Sequence, residues 1–326
     1  MASRPPAQFV ISIDLEMSWG SMHHDLPHDD TPYRREREIV DGVLSLMAKH
    51  GITATWAVVG HLFLAECTND ENGRPHSQIP RPDYRWLDRD WYDPDPVSTL
   101  EASPTWYGPD LVKAIRECPV PQEVASHSFG HIIVGDPDCD ADAFRADLLE
   151  CKAIAEAEGI DLQSFVFPRN KVGHVDILSE SGFSSYRSPT PDRFAGMSRP
   201  RRVAAAAMEM VRPSATFGAT RHSKIVDIPQ TYMFDPASKR AERFGTAVWS
   251  LLMRRRLRHA VRTGSLFHLW FHTHNLSANT DRAWTAMEAL FIEARKHLDA
   301  GTLENVTMET IAQRLMTVDN HAEGTG

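Results

Sequence analysis

The chain has 326 residues, 42% hydrophobic and 24% charged, with a net charge of −9. That is the make-up of a globular protein, and the negative balance argues against a nucleic-acid binder, whose phosphate contacts need a basic surface. The longest apolar runs, such as Leu266–Phe271, fall far short of the roughly 20 residues of a membrane-spanning helix.

The N-terminus, Met1-Ala2-Ser3-Arg4-Pro5-Pro6, lacks the apolar core of a secretory signal. Cys67, Cys118, Cys139 and Cys151 form no Cys-x-x-Cys pair. Both features point to a cytoplasmic protein with free thiols.

Phe9–Ile13 reads as a short buried strand. It ends in Asp14-Leu15-Glu16, and side chains two apart on a strand point the same way. Asp14 and Glu16 therefore project together at the strand's C-terminal end, where α/β folds place their sites. Two carboxylates so close need a cation or a proton between them. The division of labour this suggests is one on a metal and one acting as a base. A polar loop, Ser21–Thr31, follows; its His23, His24 and His28 read as solvated.

Arg34–His50 carries Ile39, Val43, Leu46 and Met47 at helical spacing, and Gly51 stops it. Ile52–Val59 is a second strand, and the strand–helix–strand order implies parallel pairing. Residues 68–108 break the rhythm with Pro, Asp and the aromatics Tyr84, Trp86, Trp91, Tyr92, Trp106 and Tyr107. So long an insertion is functional or disordered, and its aromatics disfavour disorder. It either packs its aromatics on the barrel or walls a substrate cleft.

Helix Pro109–Glu117 and strand Glu123–Ala125 lead into Ser126-His127-Ser128-Phe129-Gly130-His131. Neutral imidazole is the commonest protein metal ligand, and a pair four apart lands on one face of a helical turn. Hydrolytic metal sites use about three protein ligands and an open position, so a carboxylate must come from elsewhere.

Next come helix Ala141–Glu158, strand Ser164–Phe167, helix Val175–Ser181 and strand Phe183–Arg187. Residues 189–222 read as irregular and basic, with Arg193, Arg199, Arg201, Arg202, Arg212 and Arg221. They form a solvated face or hold a substrate phosphate. Strand Ile225–Ile228 and a helix around Ala241–Thr263 precede strand Leu266–Phe271, which ends in His272-Thr273-His274-Asn275. Helices Asp281–Ala300 and Met308–Met316 follow, and Asp319–Gly326 reads as a frayed tail. With no repeats and no linker, residues 1–318 read as one domain.

Four stretches in order resemble the NodB-type polysaccharide deacetylase family, carbohydrate esterase family four. They are Ser12-Ile13-Asp14-Leu15-Glu16, Ser126-His127-Ser128-Phe129-Gly130-His131, Phe165-Val166-Phe167-Pro168-Arg169-Asn170 and Leu269-Trp270-Phe271-His272. The resemblance implies an α/β fold, a deformed (β/α) barrel of about seven strands, and a divalent-metal hydrolase of N-acetyl groups. It implies Asp14 as general base, His127 and His131 as metal ligands, and His272 as general acid.

Two positions depart from the family pattern. Leu15 stands where the family has its ligand aspartate, leaving Glu16 to serve as third ligand. Val166 stands where the family has an arginine that orients the base, and Arg169 is the candidate replacement. Arg169, Asn170, Trp19 and His274 are the candidate substrate contacts. His274 is the rival to His272, and His268 reads as core. Zinc suits two nitrogens and one oxygen, with cobalt, nickel or iron also able to bind.

The expected activity is removal of an N-acetyl group from a small or oligomeric amino sugar or related intermediate, a substrate that could bear phosphate. The alternatives are ring opening of a cyclic amide or ureide, as in allantoinase-like relatives, and a silent carbohydrate-binding module.

Overall fold

Strand β1 (Ala7–Leu15) is buried along its length except at Gln8, as befits a strand covered on both faces. The computed structural model describes residues 4–22, 31–236 and 245–323. β1 lies between β2 (Thr55–Val58) and β9 (Leu266–His272), parallel to both. Beyond β2 come β3 (Glu123–Ser126), β4 (Ser164–Val166), β5 (Ser185–Ser188) and β7 (Ile225–Pro229), each parallel to its neighbour. These are the seven strands that the apolar runs predict.

Short strands complete the sheet. β6 (Thr220–His222) is antiparallel to β7, β8 (Tyr232–Met233) pairs with β9, and β10 (Leu303–Asn305) pairs with the start of β1. Among the described residues the order is β6-β7-β5-β4-β3-β2-β1-β9-β8, with β10 beside β1.

The chain itself draws the two ends of this sheet together. Gln230 N donates to Ser188 O of β5 at 2.9 Å, and the next residue, Thr231, donates to His268 O of β9 at 3.0 Å. A single peptide step thus spans the seam of a deformed barrel.

Helices α1 (Glu36–His50), α2 (Pro109–Arg116), α3 (Ala141–Ala157) and α4 (Val175–Glu180) follow successive strands. α5 (Arg199–Val211), α6 (Gly245–Thr263), α7 (Thr280–Asp299) and α8 (Met308–Glu323) complete the described set. Gly51 ends α1 in the left-handed region at φ 64°, the conformation that favours glycine in a C-terminal cap. No described helix is long and apolar enough to cross a membrane.

Alternation along β1 sorts its side chains. Phe9, Ile11 and Ile13 join the large core cluster, whereas Val10 joins a second cluster with Ala57, Val166, Val226, Ile228 and Leu266. Met308, Ile311 and Ala312 of α8 close that cluster. Val10, Ser12 and Asp14 share one face by the two-residue period. The same face is therefore apolar at one end and polar at the other.

Two expectations change. Residues 189–222 are not irregular throughout: they contain α5 and β6. Ala204–Ala207 are strong helix formers, and Pro200 sits in the first turn, where its missing N–H costs nothing. The final helix runs on through Glu323, past the expected stop at Met316 and into the expected tail.

Most aromatics of the insertion pack inward, as the first of its two readings expects. Tyr84, Trp91, Tyr92, Trp106 and Tyr107 are buried, while Trp86 is 44% exposed. The histidines 23, 24 and 28, the expected helix start at 241–244 and residues 324–326 lie outside the described residues.

Candidate active site

Asp14 and Glu16 emerge together at the end of β1, and Leu15 between them is in the core. Gly20 leaves room for Glu16: a Cβ there would stand 2.3 Å from Glu16 Oε2. Glu16 Oε1 lies 3.0 Å from His127 Nε2 and 3.2 Å from His131 Nε2. The sequence places this carboxylate and the two histidines far apart; the parallel order β1-β2-β3 brings them to one spot.

The two histidines do not sit on a helical turn. They belong to a loop after β3 in which Ser128 and His131 take positive φ values of 67° and 56°. Such a conformation costs roughly 1–2 kcal/mol per residue and needs outside support. Asp147 of α3 supplies it, accepting from Ser128 Oγ at 2.9 Å, Phe129 N at 2.9 Å and Gly130 N at 3.1 Å. From the other side, Trp91 Nε1 donates to Gly130 O at 2.7 Å. Gly130 is required because a Cβ would meet the Tyr92 hydroxyl at 2.4 Å.

The donor set suits a divalent metal. His127 Nδ1 faces the Val166 carbonyl at 2.7 Å, and a carbonyl can only accept. The ring's proton therefore sits on Nδ1, and a neutral ring presents its Nε2 lone pair to Glu16. Burial lowers the pKa of His131, favouring its neutral form. Glu16 is a carboxylate: burial opposes its charge, but the charge of His272 outweighs it and holds its pKa well below the usual range. A His127 lone pair aimed at an anion, with His131 Nε2 beside the same oxygen, is an arrangement that a cation would complete. Glu16, His127 and His131 are the residues that would hold it.

Asp14 sits against the side of this cluster. Arg187, fully buried at the end of β5, grips it with two bonds of 2.6 Å, Nη1 to Oδ1 and Nη2 to Oδ2. The same guanidinium donates to Ser12 Oγ at 2.9 Å and Asn170 Oδ1 at 3.0 Å. Burial opposes ionisation of Asp14, but Arg187 and His272 overcome it and lower its pKa. Asp14 is thus a fixed, ionised acceptor.

His272 ends β9 with Nε2 at 3.4 Å from Glu16 Oε1 and 3.5 Å from Asp14 Oδ2. Burial disfavours its proton, yet Glu16 and Asp14 raise its pKa to about 9. Its side chain is 20% exposed against 2% for Asp14 and 6% for Glu16, so the site opens on the His272 side.

The other expected residues divide. His274 lies beside His272, the rings tilted with centroids 5.2 Å apart, and burial lowers its pKa to about 4. Asn170 reaches the site through Arg187, whereas Arg169 is exposed at a positive φ of 57°. The arginine bonded to Asp14 is not Arg169 but Arg187, the register partner of Val166 on the neighbouring strand. Trp19, expected to touch substrate, is fully buried, donating from Nε1 to Trp106 O at 3.1 Å. Its place is the core behind Glu16. His268 is core as read, bonded to Ser12 Oγ and the Pro229 carbonyl.

Glu36 of α1 is an acid the sequence reading passed over. It is fully buried; Thr273 Oγ1 donates to Oε1, and Oε2 has no partner. Burial pushes its pKa up to about 8, from 4.5 in an unperturbed chain. The folded protein holds this proton across that window, so Glu36's stabilising contribution is full below pH 4.5 and is lost as pH rises through about 8. Glu36→Gln keeps an acceptor for Thr273 and removes the titration. The variant should match wild type near pH 4.5 and exceed it by a few kcal/mol at pH 8 and above, as read by urea unfolding. Parallel pH profiles for the two proteins would show that Glu36 ionises freely.

No protein-family model matches this sequence, and the curated proteins contain no match. Solved structures do match in fold. A candidate polysaccharide deacetylase from Mycobacterium smegmatis aligns with a TM-score of 0.60 at 13% identity, covering 98% of this chain and 93% of that one. A second candidate polysaccharide deacetylase, from Pseudomonas aeruginosa PAO1, gives 0.60 at 12% identity, covering 94% and 89%. PuuE allantoinase gives 0.59 at 12% identity, covering 96% and 91%. At these identities the likeness is one of fold: the chain has the deformed barrel found in polysaccharide deacetylases.

Proposed function

We propose that this chain, built on that barrel, is a metal-dependent amide hydrolase that removes an N-acetyl group from an amino sugar or a related intermediate. The observation that carries the reading is the convergence of Glu16, His127 and His131 beside an Asp14 clamped by Arg187 and a protonated His272. A divalent metal held there would polarise an acyl carbonyl and make a water more acidic.

Asp14, kept ionised by Arg187, accepts the proton of the attacking water. Arg187 fixes both oxygens of that carboxylate and so fixes the direction of attack. His272, on the open side of the site, donates a proton to the departing amine. His274 backs the His272 ring. Zinc is the proposed ion, on the two-nitrogen, one-oxygen donor set.

Removing either histidine separates these roles. His272→Ala should lower turnover by roughly 10²–10⁴-fold, the usual contribution of an acid–base group. His274→Ala should cost less and act mainly on substrate affinity. Steady-state kinetics on both variants checks this; a dead His274→Ala beside an active His272→Ala would move the acid to position 274.

A panel of N-acetylated sugars and cyclic ureides tests the reaction class. Acetate release from a sugar supports the proposal. Ring opening without a released acid favours the allantoinase-like alternative, which the PuuE likeness in fold keeps in view. Metal bound at full occupancy with no turnover on any member would mark a silent binding module.

A further inference from the structure

Behind the candidate active site, a second set of metal-type donors meets. His61 lies in the 3-10 turn after β2, Gly60–Phe63, while Cys67, His76 and Asp95 come from the chain that leads into and through the insertion. One ligand atom from each lies within 4.8 Å of the others. Asp95 Oδ2 is the hub, at 2.9 Å from His76 Nε2, 3.4 Å from His61 Nε2 and 3.5 Å from Cys67 Sγ. A tetrahedral ion with bonds of about 2.0–2.3 Å keeps its ligand atoms roughly 3.3–3.8 Å apart, so little rearrangement would admit one.

Hydrogen bonds alone leave this cluster unresolved. His61 is fully buried, and its Nδ1 faces the Trp106 carbonyl at 3.4 Å. The carbonyl can only accept, so the proton sits on Nδ1 and the Nε2 lone pair points at an anion. His61 Nε2 indeed has no hydrogen-bond partner. This is the arrangement seen at His127 and Glu16, repeated with a sulfur donor added.

We propose that His61, Cys67, His76 and Asp95 form a second metal site, a closed structural one for an ion of the zinc class. Four protein ligands fill a tetrahedral shell and leave no open position, unlike the three of the candidate active site. Outer contacts are in place. Tyr107 OH stands 3.1 Å from Cys67 Sγ and accepts from Ser98 N at 2.8 Å, which leaves its proton free for a thiolate.

The location gives the site its purpose. The Trp19 ring, three residues beyond Glu16, lies 4.3 Å from the His61 ring. Phe129, between the ligand histidines 127 and 131, packs on both His61 and His76, with centroids 5.8 and 5.2 Å away. An ion here would pin the insertion to the barrel and stiffen both loops that carry the active-site ligands. The inference needs no particular reaction at the first site.

The test uses the full chain loaded with cobalt. Only the second site offers sulfur, so a thiolate-to-cobalt charge-transfer band in the near ultraviolet reports it alone. The band should be present in wild type, absent in Cys67→Ser and retained in His131→Ala. Total zinc should be two per chain in wild type and one in either variant. If Cys67→Ser fails to fold, protection of Cys67 from alkylation by zinc in wild type, mapped by mass spectrometry, replaces it. A cobalt-saturated wild type with no thiolate band, or a Cys67 alkylated equally with and without zinc, overturns the proposal. One metal per chain together with the band would uphold the second site and count against the first.

Discussion

Asp14→Asn should reduce turnover by about 10²–10⁴-fold or more while leaving the metal content of the protein unchanged. The substitution keeps the shape of the side chain and removes its ability to take a proton. Its distinguishing power comes from the neighbouring carboxylate: Glu16, not Asp14, is the oxygen that His127 and His131 both approach. Elemental analysis beside the kinetics reads the two roles separately. Loss of metal together with activity would make Asp14 a ligand and end the division of labour between the two acids.

The second large effect belongs to Arg187. Breaking a buried ion pair by removing one partner leaves an uncompensated charge, at a cost of about 3–5 kcal/mol. Arg187→Met should therefore destabilise the fold by that amount in urea unfolding and should also lower turnover. Adding Asp14→Asn removes the stranded charge, so the double variant should be more stable than Arg187→Met alone. That reversal is a coupling between contacting residues and would not arise from lost packing. Equal or additive losses in the double variant would show that the pair contributes no such energy.

The fold was legible where simple periodicities apply. The longest parallel strands, β1 and β9, are apolar runs, and each leads into the polar residues of the site. Asp14 and Glu16 were legible because alternation on a strand is rigid. His127 and His131 were legible by residue type, but not by geometry. Their convergence depends on positive φ values at Ser128 and His131 and on Asp147, features that no spacing rule reports.

Trp19 misled because an aromatic close in sequence to a site reads as its wall, and here the 3-10 turn Met17–Ser21 turns it into the core. α5 was missed because its arginines drew attention away from its alanines. His61, Cys67, His76 and Asp95 form no short motif, since the insertion folds back before they meet.

The pairing of Val166 with Arg187 has a consequence for how such proteins are recognised. Adjacent parallel strands in register offer two addresses from which a long side chain can serve the same carboxylate. If a guanidinium changes address, the atoms at the reaction centre need not move. The other address can then hold an ordinary apolar residue, and Val166 is one, clustered with Ile228 and Met308. A comparison made position by position records a loss at one strand and an unrelated gain at the next. What such a change would leave in place is the carboxylate's partner in space, and a comparison blind to the sheet cannot count it.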